Sequence, residues 1–185
     1  MVVRIKVALF DMAATTLDDM VENPGLEGKL PLVISAYQDA FKKAGIEMPF
    51  NELNNCRGRD KIEVFREKVT SYRPDLPSDE QGFLAQRLHD KEFVPALLAN
   101  VQYLREMPGT SEAFRRFKDD GVYIATGSGF PQVVTDAINK QLGWQDTGLV
   151  DFGTCGESAG GGRPKPNMIN ATLVSAGYLP RGTDL

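Results

Sequence analysis

The fold of this chain follows from one stretch, Val7-Ala8-Leu9-Phe10-Asp11-Met12-Ala13-Ala14-Thr15-Thr16-Leu17-Asp18. Four apolar residues in a row, from Val7 to Phe10, predict a short strand that is buried on both faces, as in a parallel sheet. Ligands of open α/β sheets bind just beyond the carboxyl ends of the strands, so Asp11 is predicted to lie at the mouth of that crevice. Because a buried charge without a partner is costly, we expect a metal ion or a reacting group beside it. An acidic turn residue after a strand is the alternative interpretation.

The composition is that of a globular protein. A chain of 185 residues can bury one full core, or one core and a small inserted subdomain. The net charge of −4 gives no reason to expect a nucleic-acid partner, and no apolar stretch is long enough to span a membrane. Cys56 and Cys155 match no metal-binding spacing and are too few for a disulfide framework. With little room for a signal peptide before Asp11, we expect a cytoplasmic protein.

The order of predicted elements divides the chain into two domains. Residues 20–104 are predicted to form an all-helical insert, with a polar linker over 18–28 and helices over 30–44, 51–55, from Asp60 onward, and 78–104 with a break near Pro95. Residues 1–19 and 105–185 are predicted to form an α/β core, with strands over 122–125 and 149–152 and helices over 111–120, 132–142 and 167–176. This alternation of strands and helices predicts a doubly wound parallel sheet.

Two later motifs have the chemistry of a phosphate site. The second strand leads into Thr126-Gly127-Ser128-Gly129, where hydroxyl groups and glycine N–H groups can bind phosphate oxygens. Gly162-Arg163-Pro164-Lys165-Pro166 supplies a cation whose planar fork can bind two oxygens at once. A strand-to-helix turn and a basic, proline-stiffened loop are the structural alternatives.

In their order along the chain, the three motifs resemble those of the haloacid dehalogenase superfamily, and most of all its phosphonatase branch (phosphonoacetaldehyde hydrolase and relatives). That family has a strand ending in Asp-x-Asp-Gly-Thr, with Ala for the second Asp in the phosphonatase branch. Its second motif there is Thr-Gly, and its third is Gly-Lys-Pro-x-Pro, with Arg for Lys. The resemblance implies that Asp11 is a nucleophile that forms an aspartyl-phosphate, and that Thr126 and Arg163 hold the phosphoryl group. It also implies that the helical insert is a cap that closes over the site, and that the substrate contacts include Thr15, Gly58, Gly127 and Ser128.

Gly58-Arg59-Asp60-Lys61-Ile62-Glu63 resembles the phosphonatase cap segment that carries a Schiff-base lysine, with Lys61 at that position. The residue that would act as general acid in phosphate-ester cleavage is Ala13 here, which cannot donate a proton. Cleavage of a carbon–phosphorus bond beside a carbonyl can instead use a lysine imine, which takes up the electron pair as an enamine. The phosphonatase histidine three residues after this lysine is Val64 here, and a solvated lysine at a helix start is the alternative interpretation.

The resemblance implies Mg²⁺, bound by the Asp11 carboxylate and the carbonyl of Ala13. The fourth family motif, Gly-Asp-x-x-x-Asp, is not found before Leu185, so the core is expected to be truncated at its C-terminus and the first strand to be an unpaired edge. Either the natural chain continues, or a partner covers the edge. A second copy of the chain is one such partner, so a homodimer is among the expectations.

Three functions follow from these observations. The first is a phosphonatase-like hydrolase that acts on a small phosphonate or phosphate metabolite, with phosphonoacetaldehyde as the specific form. The second is a small-metabolite phosphatase or phosphomutase, against which Ala13 speaks. The third is a catalytically inert fragment of the same fold that binds a ligand or partner, which the missing metal ligands favour.

Overall fold

A computed structural model of the protein describes residues 4–22 and 28–180. The chain divides into two compact units. The core unit comprises Met1–Asp19 and Leu104–Leu185, and the inserted unit comprises Met20–Tyr103. The second junction lies one residue before the position predicted from the sequence.

Within the described residues the strands are β1 (Val7–Asp11), β2 (Leu17–Asp18), β3 (Met20–Glu22), β4 (Lys29–Pro31), β5 (Arg105–Glu106), β6 (Tyr123–Ser128) and β7 (Phe152–Cys155). The α-helices are α1 (Leu32–Lys42), α2 (Phe50–Asn54), α3 (Lys61–Tyr72), α4 (Ser78–Arg87), α5 (Val94–Asn100), α6 (Thr110–Asp119), α7 (Gln132–Leu142) and α8 (Asn167–Ser175). None of these helices has both the length and the apolar character needed to cross a membrane.

The core unit is built on a parallel sheet with the order β1-β6-β7. Helices alternate with these strands, and α6 packs against β6 while α7 and α8 pack against β7. The predicted α/β fold with a parallel sheet is therefore confirmed. The register forms two neighbouring rows across the sheet, Phe10–Thr126–Gly153 and Asp11–Gly127–Thr154. Because successive residues of a strand point to opposite faces, these two rows face opposite sides of the sheet.

The first strand is less buried than its sequence predicts. All five residues of β1 are half-buried, although the apolar run predicts burial on both faces. The reason is its position, since β1 is the outer strand of the sheet in the part of the chain that the structure describes. A buried central strand and a half-buried outer strand have the same apolar sequence, so composition alone does not separate them.

The third core strand lies three residues later than predicted, over Phe152–Cys155 rather than 149–152. The N–H groups of Leu149 and Val150 donate to the carbonyl of Trp144, which closes the loop after α7. Val150 is buried in that loop, and its apolar character therefore does not mark a strand.

A short antiparallel ribbon joins β2 to β5 within the core unit. Glu106 on β5 accepts hydrogen bonds from the Ser111 hydroxyl and from Nε1 of Trp144, which is 3.1 Å away and fully buried. Burial raises the pKa of the Glu106 carboxyl, but the hydrogen bonds from Ser111 and Trp144 outweigh it, so the pKa lies below its ordinary value.

The inserted unit is not all-helical, which corrects the prediction. β3 and β4 form an antiparallel pair, with Met20 opposite Pro31 and Val21 opposite Leu30. Val21 is buried between two exposed neighbours, which is the alternation of a half-buried strand. Three residues are too few for this period to be recognised in the sequence. The predicted linker over 18–28 is therefore strand at its first described residues, while 23–27 lie outside the described residues.

The helices of the inserted unit pack around an aromatic cluster of Tyr37, Phe41, Phe65 and Phe93. The predicted break near Pro95 is confirmed, because a turn of π-helix over Leu88–Phe93 separates α4 from α5. Proline lacks the N–H group that would continue an α-helical hydrogen-bond ladder through this point. The predicted start of α3 is also confirmed, since the Asp60 carboxylate accepts from the N–H of Glu63 at 3.3 Å.

Candidate active site

The backbone after β1 turns sharply and leaves Asp11 at the carboxyl end of the strand. The carbonyl of Met12 accepts hydrogen bonds from the N–H groups of Thr15, Thr16 and Leu17 at 2.9–3.1 Å. The hydroxyl of Thr16 donates to the carbonyl of Asp11 at 2.9 Å, and Thr16 is itself buried. The main chain around Asp11 is thus fixed from both sides of the turn, while 39% of its side chain stays exposed.

The side chain of Arg163 contacts this carboxylate, although 152 residues separate the two in sequence. Nη2 of Arg163 lies 3.1 Å from Oδ1 of Asp11, and both side chains are about two-fifths exposed. An ion pair this exposed contributes only about 0–1 kcal/mol to stability, because water screens it. The pairing places a cation with further N–H donors beside a carboxylate at the sheet edge where ligands bind.

Thr126 does not join this pair, which corrects the prediction. The Phe10 row faces α6 and α7, since the ring of Phe10 lies 5.1 Å from that of Phe114. In the same row, the hydroxyl of Thr126 donates to Oδ1 of Asn139 on α7 at 3.5 Å, and Thr126 is completely buried. Asp11 belongs to the next row and points to the opposite face. This follows from the register of β1 with β6, which the sequence of one strand does not give.

Ser128 is the hydroxyl of the second motif that lies at the end of its strand. β6 continues through Ser128, one residue beyond Gly127, which is opposite Asp11. Its oxygen accepts a hydrogen bond from the N–H of Phe130 at 3.0 Å. A hydroxyl that accepts one hydrogen bond still has a proton to donate. By alternation Ser128 shares the face of Thr126, and it is buried. It is nevertheless the last residue of its strand, at the end where ligands bind, and this position makes it a better candidate than Thr126 for contact with an anion.

Gly127 is explained by packing around the turn. A Cβ at this position would lie 3.2 Å from Cδ1 of Leu9, closer than ordinary van der Waals contact. The carbonyl of Gly127 accepts a hydrogen bond from the N–H of Met12 at 3.2 Å and so helps to hold the turn after Asp11. The side chain of Thr15 is exposed on that turn. Ala14, the residue before Thr15, has a φ of +60°, a left-handed conformation that suits glycine better than alanine.

Lys61 and Gly58 lie in the inserted unit. Lys61 is the first residue of α3 and is only 5% exposed, which is rare for lysine. Its Nζ donates to the carbonyl of Arg59 at 2.9 Å and lies 6.0 Å from the ring centroid of Tyr37. Gly58, in the turn before α3, has a φ of +75°. The alternative of a solvated surface lysine is therefore wrong, because Lys61 is buried.

The residues around Asp11 do not complete a Mg²⁺ site by themselves. Across residues 4–22 and 28–180, no group of three or more His, Cys, Asp or Glu side chains could hold a metal ion. The predicted ligands, the Asp11 carboxylate and the Ala13 carbonyl, are two oxygens of the six that Mg²⁺ prefers.

Comparison with known proteins agrees with the resemblance in fold. No protein-family model matches the chain. The chain is 23% identical over 184 residues to a bifunctional phosphonoacetaldehyde hydrolase/aminoethylphosphonate transaminase from Clostridioides difficile, and the match covers 96% of this chain and 27% of that protein.

Solved structures share the fold. A phosphonoacetaldehyde hydrolase-like protein from Oleispira antarctica superimposes with a TM-score of 0.73 at 20% identity, covering 94% of this chain and 61% of that one. A hydrolase from Pseudomonas syringae superimposes with a TM-score of 0.69 at 16% identity, covering 95% of this chain and 71% of that one. The fold expected from the resemblance is thus confirmed.

Proposed function

We propose that this chain is a phosphonatase-like hydrolase of the haloacid dehalogenase superfamily, which cleaves the P–C or P–O bond of a small phosphonate or phosphate metabolite. The single observation that carries the proposal is the contact of 3.1 Å between Arg163 and Asp11 at the carboxyl end of β1. A carboxylate and a guanidinium at this edge of the sheet supply a nucleophile and a binding group for the oxygens of a phosphoryl group.

Asp11 attacks phosphorus and forms an aspartyl-phosphate. Arg163 offsets the negative charge of the phosphoryl oxygens, because its five N–H donors can bind the carboxylate and a phosphoryl oxygen together. Ser128 donates its hydroxyl proton to another phosphoryl oxygen. The partial exposure of Asp11 and Arg163 supports this role, since a small charged substrate can reach both.

The specific form of the proposal uses Lys61 as an imine-forming amine. The neutral amine attacks the aldehyde of phosphonoacetaldehyde and releases water, which gives an imine. A proton from water converts this imine to an iminium. When the carboxylate of Asp11 then attacks phosphorus, the C–P bond breaks and its electron pair moves into the iminium to form a neutral enamine. A second proton from water adds to the enamine carbon and gives an iminium, and water then releases acetaldehyde from Lys61 and phosphate from Asp11. The burial of Lys61 and its hydrogen bond to the Arg59 carbonyl support this role, because a reactive amine must be held in a fixed place.

Mg²⁺ dependence is part of the proposal and remains a prediction. The Asp11 carboxylate and the Ala13 carbonyl would hold the ion, with water and phosphoryl oxygens as the remaining ligands. When bound, the ion would offset charge on the phosphoryl group. The relatives matched are longer than this chain, which spans 27% of the curated protein and 61% of the Oleispira structure.

A second candidate function is a catalytically inert binder of phosphate-like anions. The short set of metal donors around Asp11 favours it. It predicts that inorganic phosphate binds at Asp11 and Arg163 but that no phosphoryl donor is consumed. A phosphatase for small esters is disfavoured by Ala13, which offers no general acid.

One experiment separates these functions. The protein is incubated with Mg²⁺ and either phosphonoacetaldehyde or phosphate esters, reduced with borohydride, and digested for mass spectrometry, while released phosphate and the binding of inorganic phosphate are measured. The proposal predicts a reduced adduct on Lys61 in the wild type and none in Lys61→Arg, which keeps the charge but cannot form an imine. Phosphate release from esters without an adduct would support a phosphatase instead. Phosphate binding without release of phosphate from any donor would support the inert binder.

A further inference from the structure

The ring of Tyr37 is one of the most firmly held side chains of the inserted unit. It is fully buried and belongs to the aromatic cluster, with its centroid 4.7 Å from Phe93, 5.4 Å from Phe65 and 5.9 Å from Phe41. Two of these contacts are stacked, with interplanar angles of 26° for Phe93 and 22° for Phe41. A ring held by three neighbours gives a fixed surface to whatever lies over it.

What lies over this ring is the amine of Lys61. Its Nζ is 6.0 Å from the Tyr37 centroid, at the outer range of a cation–π contact, and it donates to the carbonyl of Arg59. Lysine has a long, flexible side chain whose ordering costs conformational entropy. A reactive amine therefore needs neighbours that fix its position.

We propose that Tyr37 is a positioning residue for Lys61. The face of the Tyr37 ring and the carbonyl of Arg59 together hold Nζ of Lys61 in place. The consequence for catalysis rests on the proposed function, in which this amine forms the imine. The physical claim about Lys61 does not depend on it.

The hydroxyl of Tyr37 is not required by this proposal. It is buried and has no hydrogen-bond partner among the described residues, and burial raises the pKa of Tyr37 well above its ordinary value, so the group stays neutral. Tyr37→Phe therefore keeps the ring and removes only an unpaired polar atom. This substitution is a matched control for the loss of the ring.

The test measures how firmly Nζ of Lys61 is held. Reductive methylation of the folded protein with formaldehyde and cyanoborohydride is followed at the Lys61 peptide by mass spectrometry. Tyr37→Leu is expected to speed methylation about two- to five-fold, the ratio that corresponds to loss of a cation–π contact. Tyr37→Phe is expected to leave the rate unchanged. Phe41→Leu, which loosens the same aromatic cluster without removing the ring at position 37, is expected to speed methylation less than Tyr37→Leu does.

A second measurement tests the proposal if the Tyr37→Leu protein does not fold. Phenylalanine and 3,4,5-trifluorophenylalanine at position 37 have nearly the same shape but differ in the charge on the ring face. Faster methylation of Lys61 with the fluorinated ring is expected. Equal rates for these two rings, or equal acceleration by Tyr37→Leu and Phe41→Leu, would overturn the proposal.

The same variants separate this proposal from the proposed function. If methylation changes as expected but phosphonoacetaldehyde never labels Lys61 in the wild type, the proposed function fails and the positioning role stands. If the wild type is labelled and Tyr37→Leu is labelled as fast, the positioning role fails and the proposed function stands.

Discussion

Replacing Thr126 with valine tests the corrected location of the second motif. The hydroxyl of Thr126 donates to Oδ1 of Asn139 at 3.5 Å, which is long for a hydrogen bond and therefore weak. Valine keeps the shape of the side chain, so no cavity forms, but Oδ1 of Asn139 then lacks this donor in a buried place. Nδ2 of Asn139 is already without a partner in the described part of the chain. We expect a loss of about 1–2 kcal/mol in the free energy of unfolding.

Urea unfolding followed by circular dichroism measures this loss, as a midpoint lower by roughly 0.5–1 M. The rate of phosphate release per folded molecule is expected to stay close to that of the wild type. Ser128→Ala is the matched comparison, because it removes the hydroxyl at the strand end. It is expected to slow phosphate release by about a factor of 100, the typical effect of losing a donor to a developing charge.

The opposite pattern would refute this reasoning. If Thr126→Val abolishes phosphate release while the urea midpoint is unchanged, its hydroxyl works on the substrate rather than on Asn139. The double variant Thr126→Val/Asn139→Leu provides a further check, since removing both partners should cost less than the two single losses added together.

Four other variants test stability in the same unfolding measurement. A Cβ at Gly153 would lie 2.5 Å from Nδ2 of Asn139, so Gly153→Ala is expected to lower the free energy of unfolding by about 1–3 kcal/mol. Gly82 lies in α4 with open space around it, so Gly82→Ala is expected to raise the free energy of unfolding by about 1 kcal/mol. Ala14→Gly removes the strain of a left-handed alanine, about 1–2 kcal/mol, from the folded state. It also raises the conformational entropy of the unfolded chain, which costs up to about 1 kcal/mol, so the net effect on the free energy of unfolding is stabilising or neutral. An Ala14→Gly protein less stable than the wild type would contradict this. The pKa of Glu106 is lowered in the folded state, so its contribution is present at neutral pH and is lost as pH falls through that pKa. Glu106→Gln should therefore flatten the pH dependence of the unfolding free energy below about pH 4.3, and an unchanged profile would argue against these hydrogen bonds.

Local signals in the sequence were enough to predict several elements. α7 begins and ends at the predicted residues, and Asp60 caps α3 as its position before an amphipathic run indicates. These features depend on residues close together in the chain, where capping and helical spacing act. The α/β class followed from the alternation of strands and helices, which also needs only local patterns.

The remaining features depend on how distant residues pair. The direction of Thr126 follows from its register with Phe10, which places it on the α7 face. The apolar pair Leu149 and Val150 belongs to a loop because both N–H groups find the carbonyl of Trp144. The burial of Lys61, the first residue of α3, likewise comes from packing. A lysine in the sequence is normally exposed and gives no sign of such burial. Register and burial are properties of the assembled fold, so they were not available from one segment at a time.

Direct detection of a phosphoryl group on residue 11 is the sharpest test of the central claim. The protein is mixed with phosphonoacetaldehyde, quenched in acid within the first turnovers, and reduced with borohydride, which converts an aspartyl-phosphate to homoserine. Homoserine is expected at position 11 in the wild type, with a much smaller yield in Arg163→Met and none in Asp11→Asn. Phosphate release with no modification of Asp11, or a phosphoryl group found on another residue, would contradict it.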